Sequence, residues 1–325
     1  MTSPQRICVV TPVFNDWAAL RMLLRDLEAA LRPGNVAVDV LVMNDGSAED
    51  GLEAVDPDPG ATVIRSVTRL DLRVNVGHQL AIATGLHYAQ EHCTFDAILV
   101  LDADGEDRPA DALQLIRAWQ QNPQPIIVAE RTKRSESLSF KIFYQLYRVI
   151  FRLMTGQRIA FGNFSIIPAR ALPQVLSRPE IVHHLAATLL RSRLPILHIP
   201  TIRGTRYAGM SRMNMPTMVL HAVSALAVFS DVLFSRILIA TAFLAASCGL
   251  GTIAVAGIRF FTPYAFPNWA TTVISFLTLL AAQAIVLILC TGFLLLNNRA
   301  ALLVTTRELV RLVKHVQGDR SHDAV

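Results

Sequence analysis

Ala97-Ile98-Leu99-Val100-Leu101-Asp102-Ala103-Asp104 is an apolar run that stops in two carboxylates. A short unbroken stretch of this kind, bounded by polar residues, predicts a strand buried on both faces. Upstream, Ile7 to Thr11 is a similar run ending at Pro12, and Leu20, Leu23, Leu24, Leu27 and Leu31 follow it at the spacing of one helical face. Asn15 or Asp16 can cap that helix, because a short oxygen-bearing side chain accepts hydrogen bonds from its free N-terminal amides. Val36 to Met43 predicts the next strand and ends at the turn-rich Asn44-Asp45-Gly46-Ser47. Ala61 to Ile64 is a further apolar run, ahead of a helix from about Gly77 to Ala89. Strands alternating with helices predict a mainly parallel α/β sheet covered on both faces, with ligands bound outside the carboxyl ends of its strands. The polar clusters that begin at Thr11, Asn44 and Asp102 all fall there.

The 325 residues are 52% hydrophobic, and the excess is local. Up to about Pro216 charged and apolar residues mix as in a globular domain, whereas from Arg236 to Leu296 almost every residue is apolar. Within that tail, Ile237 to Ile258 and Ala270 to Leu296 are each long enough, at about 1.5 Å per residue, to cross a hydrocarbon core of about 30 Å. They predict a two-helix transmembrane hairpin. Phe260, Phe261, Tyr264, Phe266 and Trp269 between them fit an aromatic interfacial belt. Arg299, Arg307, Arg311 and Lys314 follow the second span, so the positive-inside rule expects both termini in the cytoplasm and a multi-pass protein of the cytoplasmic membrane. Met1 to Arg6 holds no apolar core, so no cleaved signal peptide is expected. The expected organisation is a cytosolic domain over 1–214, a juxtamembrane segment over 215–235 that lies at the interface or packs under the domain, the hairpin over 236–297 and a basic tail over 298–325.

A net charge of +5 suits nucleotides, lipid phosphates or an anionic membrane surface. The basic residues are dispersed, with no aromatic-basic recognition module, which argues against nucleic acid. Cys8, Cys93, Cys248 and Cys290 show no paired spacing, and read as reduced cysteines. Neither span carries an ionisable residue in its middle, which argues against a channel or transporter. The chemistry sits in Asp102 and Asp104, a strand-end pair able to hold a hard divalent cation against a diphosphate, with Glu106 a further possible oxygen ligand. Taken alone, such a pair also suits solvation or a helix cap.

Four motifs, in order, carry a resemblance: Val9-Val10-Thr11-Pro12-Val13-Phe14-Asn15-Asp16, Asn44-Asp45-Gly46-Ser47, Asn75-Val76-Gly77-His78-Gln79 with Ala81 and Gly85, and Asp102-Ala103-Asp104-Gly105-Glu106-Asp107. Together they resemble glycosyltransferase family 2, specifically the polyprenyl-phosphate glycosyltransferases that include dolichyl-phosphate mannose synthases. The resemblance implies a GT-A (Rossmann-like) glycosyltransferase domain, inverting chemistry, and Mg²⁺ or Mn²⁺ held by Asp102, Asp104 and Glu106. It implies catalytic roles for Asp102, Asp104, Arg131 and Arg134, the two arginines facing diphosphate or acceptor phosphate. Nucleotide-sugar contacts are implied for Thr11, Pro12, Phe14, Asp16, Asp45, Asn75 and Gly77, and for Arg206, Ser211 and Arg212 in a loop that closes over the donor.

In many relatives the segment Gly162-Asn163-Phe164 has aspartate in its middle position, and Asn163 cannot act as a general base. A sugar hydroxyl needs its proton removed, whereas a lipid phosphate is already an oxyanion at neutral pH. The Gln-x-x-Arg-Trp signature of processive relatives is missing too. The expected reaction is therefore sugar transfer from a nucleotide sugar, UDP-sugar favoured and GDP-mannose possible, to a polyprenyl phosphate such as undecaprenyl phosphate. Two rivals stand beside it: transfer to a glycolipid hydroxyl, with His183 and His184 as substitute bases, and a non-catalytic nucleotide-binding membrane scaffold. Ala245, Ala246, Gly249 and Gly251 offer a small-residue surface on which copies could associate.

Overall fold

The run Ile7 to Val10 is fully shielded from solvent at the middle of an eight-stranded sheet. The structure, a computed structural model, describes residues 4–48, 60–133, 138–208, 215–261 and 268–317. Strands β1 (Gln5–Val13), β2 (Val36–Asn44), β3 (Ile64–Leu72) and β4 (Ala97–Val100) are parallel, with β1 between β2 and β4. Next to β4, β6 (Phe161–Pro168) runs antiparallel; β5 (Ile126–Lys133) is antiparallel to β6, and β7 (Ile196–Ile202) parallel to β5. With β8 (Val313–Gln317) the order is β7-β5-β6-β4-β1-β2-β3-β8.

Helices cover both faces, which is why the central strands read as continuous apolar runs rather than alternating ones. On one face Leu20, Leu23, Leu27 and Leu31 of α1 (Trp17–Leu31) and Leu115, Ile116 and Trp119 of α3 (Pro109–Gln121) pack against Ile7, Val9, Val40 and Leu99. On the other, α2 (His78–His92) lies against β1 and β2. Asp16 occupies the N-cap position of α1 but makes no capping bond with its side chain. Asn15, the other expected cap, has φ +52° and accepts the Ala48 N–H at 3.0 Å through Oδ1, which ties it to the loop after β2.

The third strand differs from expectation. It runs from Ile64 to Leu72, beginning where the apolar segment Ala61 to Ile64 was expected to end. Its polar residues are paired: Arg65 Nη2 and Ser66 Oγ each donate to Asp39 at 2.7 Å, and Arg69 Nε donates to Asp71 at 2.7 Å while its guanidinium lies 4.8 Å from the Trp17 ring centre. Residues 298–325, expected as a basic tail, contain β8, which pairs antiparallel with β3. Arg73 N–H also donates to Leu312 O at 3.0 Å. A strand laid along β3 covers an edge that would otherwise present unpaired amides and carbonyls.

The chain divides into two compact units, one of Met1–Arg152, Gly156–Val228 and Val304–Val325, the other of Leu153–Thr155 and Phe229–Leu303. The second unit is built on α8 (Ser230–Phe261) and α9 (Trp269–Glu308). Ser230–Phe261 and Trp269–Gly292 have mean hydropathies of 2.0 and 2.6, yet only 11% and 6% of their most apolar stretches are buried. A helix apolar on all sides and largely uncovered by protein has no stable place in water, and the two form a candidate membrane hairpin. Tyr264 and Phe266 of the expected aromatic belt lie outside the described residues, and Phe260 and Phe261 are exposed.

One buried acid joins α1 to the start of β3. Glu28 accepts the backbone N–H groups of Thr62, Val63 and Ile64 and the Thr62 hydroxyl at 2.9 to 3.3 Å. Burial pushes its carboxyl up, but these donors outweigh burial and hold it at about 2, against an ordinary 4.5. A depressed carboxyl contributes stability above its unfolded value and loses it as pH falls through its folded value. Melting of the full chain in detergent should show this contribution intact above about pH 4.5 and fading toward pH 2. Glu28→Gln should cost about 1.5–3 kcal/mol at neutral pH and flatten that acid limb.

Candidate active site

The carboxyl ends of β1, β2 and β4 bring their loops together, and each loop is tied to its neighbour. Thr11 and Pro12 are buried at the end of β1, with Thr11 Oγ1 making no hydrogen bond, and Phe14 beyond them is 37% exposed. Asn15 N–H donates to Ser47 Oγ at 2.9 Å. Asp45 N–H donates to Val13 O at 2.9 Å, and the buried Asp45 carboxylate accepts Val76 N–H at 2.7 Å and Gly77 N–H at 3.0 Å. Asn75 Nδ2 completes the latch on Asp45 O at 3.0 Å. Burial pushes the Asp45 carboxyl above the ordinary range despite these amides. So Asp45, Asn75 and Gly77, expected at the nucleotide, are brought together, and the Asp45 carboxylate holds the loop that opens α2. Gly46 makes this approach possible. Its φ is +69°, and a Cβ there would lie 2.6 Å from Asn75 N.

The acidic turn after β4 is braced from below. Asp107, 3% exposed, accepts Asp102 N–H at 3.1 Å on Oδ2 and Arg131 Nη2 at 3.0 Å on Oδ1. Burial, then the nearby Asp102 charge, push the Asp107 carboxyl up to about 7, against the pull of Arg131. Arg131, expected at a phosphate, thus has a nearer partner in Asp107, because a buried carboxylate needs an opposite charge. Asp104 accepts Glu106 N–H at 2.9 Å and pairs with Arg206 Nη2 at 3.0 Å. Burial and the neighbouring Asp102 push the Asp104 carboxyl up. Glu106 pairs with Arg203. Among the described residues no three His, Cys, Asp or Glu side chains are grouped to hold a metal, so Asp102, Asp104 and Glu106 are not gathered as a three-residue ligand set.

The described start of the loop expected to close over the donor, Arg206 to Ala208, lies on this turn. Tyr207 N–H donates to Asp104 O at 2.9 Å, Gly204 N–H to Glu106 O at 2.8 Å, and Tyr207 Oη to Asp26 Oδ2 at 2.9 Å. Arg134, Ser211 and Arg212 lie outside the described residues.

A hydrogen-bonded chain missed in the sequence runs along the site. Leu185 N–H, at the start of α6 (Leu185–Ser192), donates to Gln79 Oε1 at 2.7 Å. That turns Gln79 Nε2 to Asn163 Oδ1, 3.1 Å away, and Asn163 Nδ2 to His78 Nε2 at 3.0 Å. A backbone amide can only donate, so the orientations of Gln79 and Asn163 are fixed, with Asn163 Nδ2 facing His78 Nε2. Asp102 Oδ1 stands 3.1 Å from that nitrogen; against burial, which pushes the His78 ring down, the Asp102 charge draws it above its ordinary range. Among the described residues no amide or hydroxyl donor reaches this buried oxygen. A buried carboxylate oxygen whose nearest polar neighbour is a ring nitrogen that can lose its proton fits a cation. His78 and Gln79 lie inside a quoted motif and Asp107 closes another, so the sequence signal for them was present.

A family model described as Glycosyl transferase family 2 matches residues 8–172. The chain is 24% identical over 290 residues to "Uncharacterized glycosyltransferase YkcC" of Bacillus subtilis (strain 168), covering 86% of this chain and 85% of that protein. It is 25% identical over 232 residues to undecaprenyl-phosphate 4-deoxy-4-formamido-L-arabinose transferase of Sodalis glossinidius (strain morsitans), 67% of each. Among solved structures, glucosyl-3-phosphoglycerate synthase from Mycobacterium tuberculosis, in complex with Mn²⁺, UDP and glucosyl-3-phosphoglycerate, aligns with a TM-score of 0.50 at 13% identity, over 70% of this chain and 80% of that one. That likeness speaks for the fold, which is GT-A.

Gly46→Ala tests the latch between the β2 loop and the Asn75 segment. It should lower thermal stability by about 1–3 kcal/mol and raise KM for the nucleotide sugar. An unchanged melting temperature and KM would show that the loops tolerate separation.

Proposed function

The chain belongs to glycosyl transferase family 2, a glycosyltransferase with a GT-A domain, and from that premise we propose that it transfers a sugar from a nucleotide sugar to a polyprenyl phosphate. The observation that carries the acceptor is that, among the described residues, the site offers no carboxylate for a base's role: Asp102 and Asp104 are the pair given to a metal, and the others are engaged. Asn163 stands where a base is wanted, with both ends of its amide engaged, while Asp107 is paired with Arg131 and Glu106 with Arg203. An acceptor that arrives as an oxyanion needs no base. The relative from Sodalis glossinidius bears a name that includes undecaprenyl phosphate, which supports the same reading.

In this reading one acceptor phosphate oxygen forms a bond to the anomeric carbon as the bond from that carbon to the nucleoside diphosphate breaks, a single displacement that inverts the centre. Asp102 and Asp104 would hold Mg²⁺ or Mn²⁺, whose charge neutralises the leaving diphosphate; two carboxylates suffice where phosphate oxygens and water complete the coordination. Asp102 Oδ1, which among the described residues no amide or hydroxyl donor reaches and which has only the His78 ring beside it, supports this. Asp107 and Arg131 position the turn, and Arg206, already on Asp104, is placed to meet diphosphate oxygens. Thr11, Pro12, Phe14, Asp16, Asn75 and Gly77 surround the nucleotide in this proposal, with Arg134, Ser211 and Arg212 completing donor and acceptor contacts. A UDP-sugar is the favoured donor. In this proposal the chain up to about residue 228, completed by β8 from beyond the hairpin, is the cytosolic catalytic domain and 236–297 the membrane hairpin, with both termini on the cytosolic side of the cytoplasmic membrane.

The test is transfer of label from a panel of UDP- and GDP-sugars to undecaprenyl phosphate in detergent, with Mn²⁺ or EDTA. Labelled lipid should form only with metal, and Asp104→Ala should lower the rate roughly 100-fold or more. Label appearing only on a hydroxyl-bearing glycolipid would overturn the acceptor.

A further inference from the structure

His184, buried at the N-cap of α6, and His221, exposed on α7 (Met215–Ala227), face each other with Nε2 atoms 3.1 Å apart and ring centres 4.4 Å apart. His184 Nδ1 accepts Ala187 N–H at 3.3 Å. Burial, and then His221, hold the His184 ring neutral with its pKa at about 3. A neutral ring whose Nδ1 accepts carries its proton on Nε2. That proton points at His221 Nε2, which must therefore accept it. His221, itself kept toward neutrality by partial desolvation of its ring against its neighbours and by His78, then bears its hydrogen on Nδ1. The ring on α7 has only a donor left to offer.

The surroundings select a ligand. His184 adjoins Leu185, the origin of the chain through Gln79, Asn163 and His78 that ends beside Asp102. The histidine pair thus continues the wall of the candidate active site. Residues 215–227 carry no charged side chain, and Leu220 and Val223, beside His221, are 67% and 55% exposed. Two residues beyond α7 the chain enters α8. A donor set in an apolar helix surface suits a ligand with an anionic head and a hydrocarbon tail.

We propose that His221 presents its Nδ1–H to the phosphate of the lipid acceptor, with its tautomer and ring orientation imposed by His184. His221 is then a binding residue for the acceptor phosphate, and His184 a positioning residue behind it. The same locked tautomer denies His221 an outward-facing lone pair, so it cannot serve as base for a hydroxyl acceptor. The inference rests on the polyprenyl phosphate reading and adds the residue that receives the phosphate.

The probe is farnesyl phosphate, titrated calorimetrically into the full chain in detergent with UDP and Mn²⁺, with farnesol as the phosphate-free control. His221→Ala should weaken farnesyl phosphate binding roughly tenfold or more, the loss of a hydrogen bond to a charged group, and leave UDP affinity and melting temperature unchanged. His221→Asn, whose amide can place a donor near the Nδ1 position, should bind within about threefold of wild type. Wild-type affinity in His221→Ala, or equal losses for UDP and farnesyl phosphate, would overturn the assignment of His221 and leave the acceptor reading standing. Rescue by His221→Gln with none by His221→Asn would overturn the tautomer. No binding of farnesyl phosphate by the wild-type chain would overturn both the acceptor reading and the inference.

Discussion

A carboxylate at Asp107 is shut away from solvent beside a second acid, and nearly everything at the site follows from the means of keeping it there. A lone buried charge is strongly unfavourable, so Arg131 must reach it. Arg131 comes from β5, with β6 standing between that strand and β4 in the sheet. The acidic turn is thus fixed by the far half of the sheet as well as by its own strand. Asp107 passes this constraint to the backbone of Asp102, whose N–H it accepts. Removing Asp107 would leave the Arg131 guanidinium unpaired under the turn, removing Arg131 would drive Asp107 to its neutral form, and Arg131 thus acts on the chemistry through the charge and shape of that turn.

A second constraint is directional. The first amides of α6 can only donate, and two hydrogen-bonded chains start from them, one through Gln79 and Asn163 to His78, the other through His184 to His221. Side-chain amides and imidazoles could point either way in isolation. Tied to a backbone N–H, the amides of Gln79 and Asn163 and the ring of His184 each have one orientation left.

Much of the fold was legible from local pattern. Ile7 to Thr11 and Ala97 to Leu101 are unbroken apolar runs because both faces of the sheet are covered, and the leucines of α1 repeat at helical spacing because one face is buried. β3 was not, since Arg65, Arg69 and Asp71 look like loop residues until Asp39, Asn44 and Trp17 are seen beside them. β8 is five residues with two polar positions at its centre and is defined only by the edge it meets. The site divides the same way. Motif residues at strand ends could be found, because their neighbours are close in the chain. The pairings of Asp107 with Arg131, Glu106 with Arg203 and His184 with His221 join residues 24 to 97 positions apart, and no local period reports such distances.

The position of β8 in the chain gives the sheet an unusual history. Seven strands leave the ribosome before the apolar hairpin, and the eighth leaves after it. The catalytic unit is therefore interrupted by the apolar hairpin and cannot be finished by synthesis of the first 228 residues alone. Until the hairpin has been delivered and the chain has returned, β3 remains a bare edge, open to pairing with another strand. Completion of the sheet is thus ordered in time after synthesis of the hairpin, and a nascent chain stalled there carries an unfinished domain.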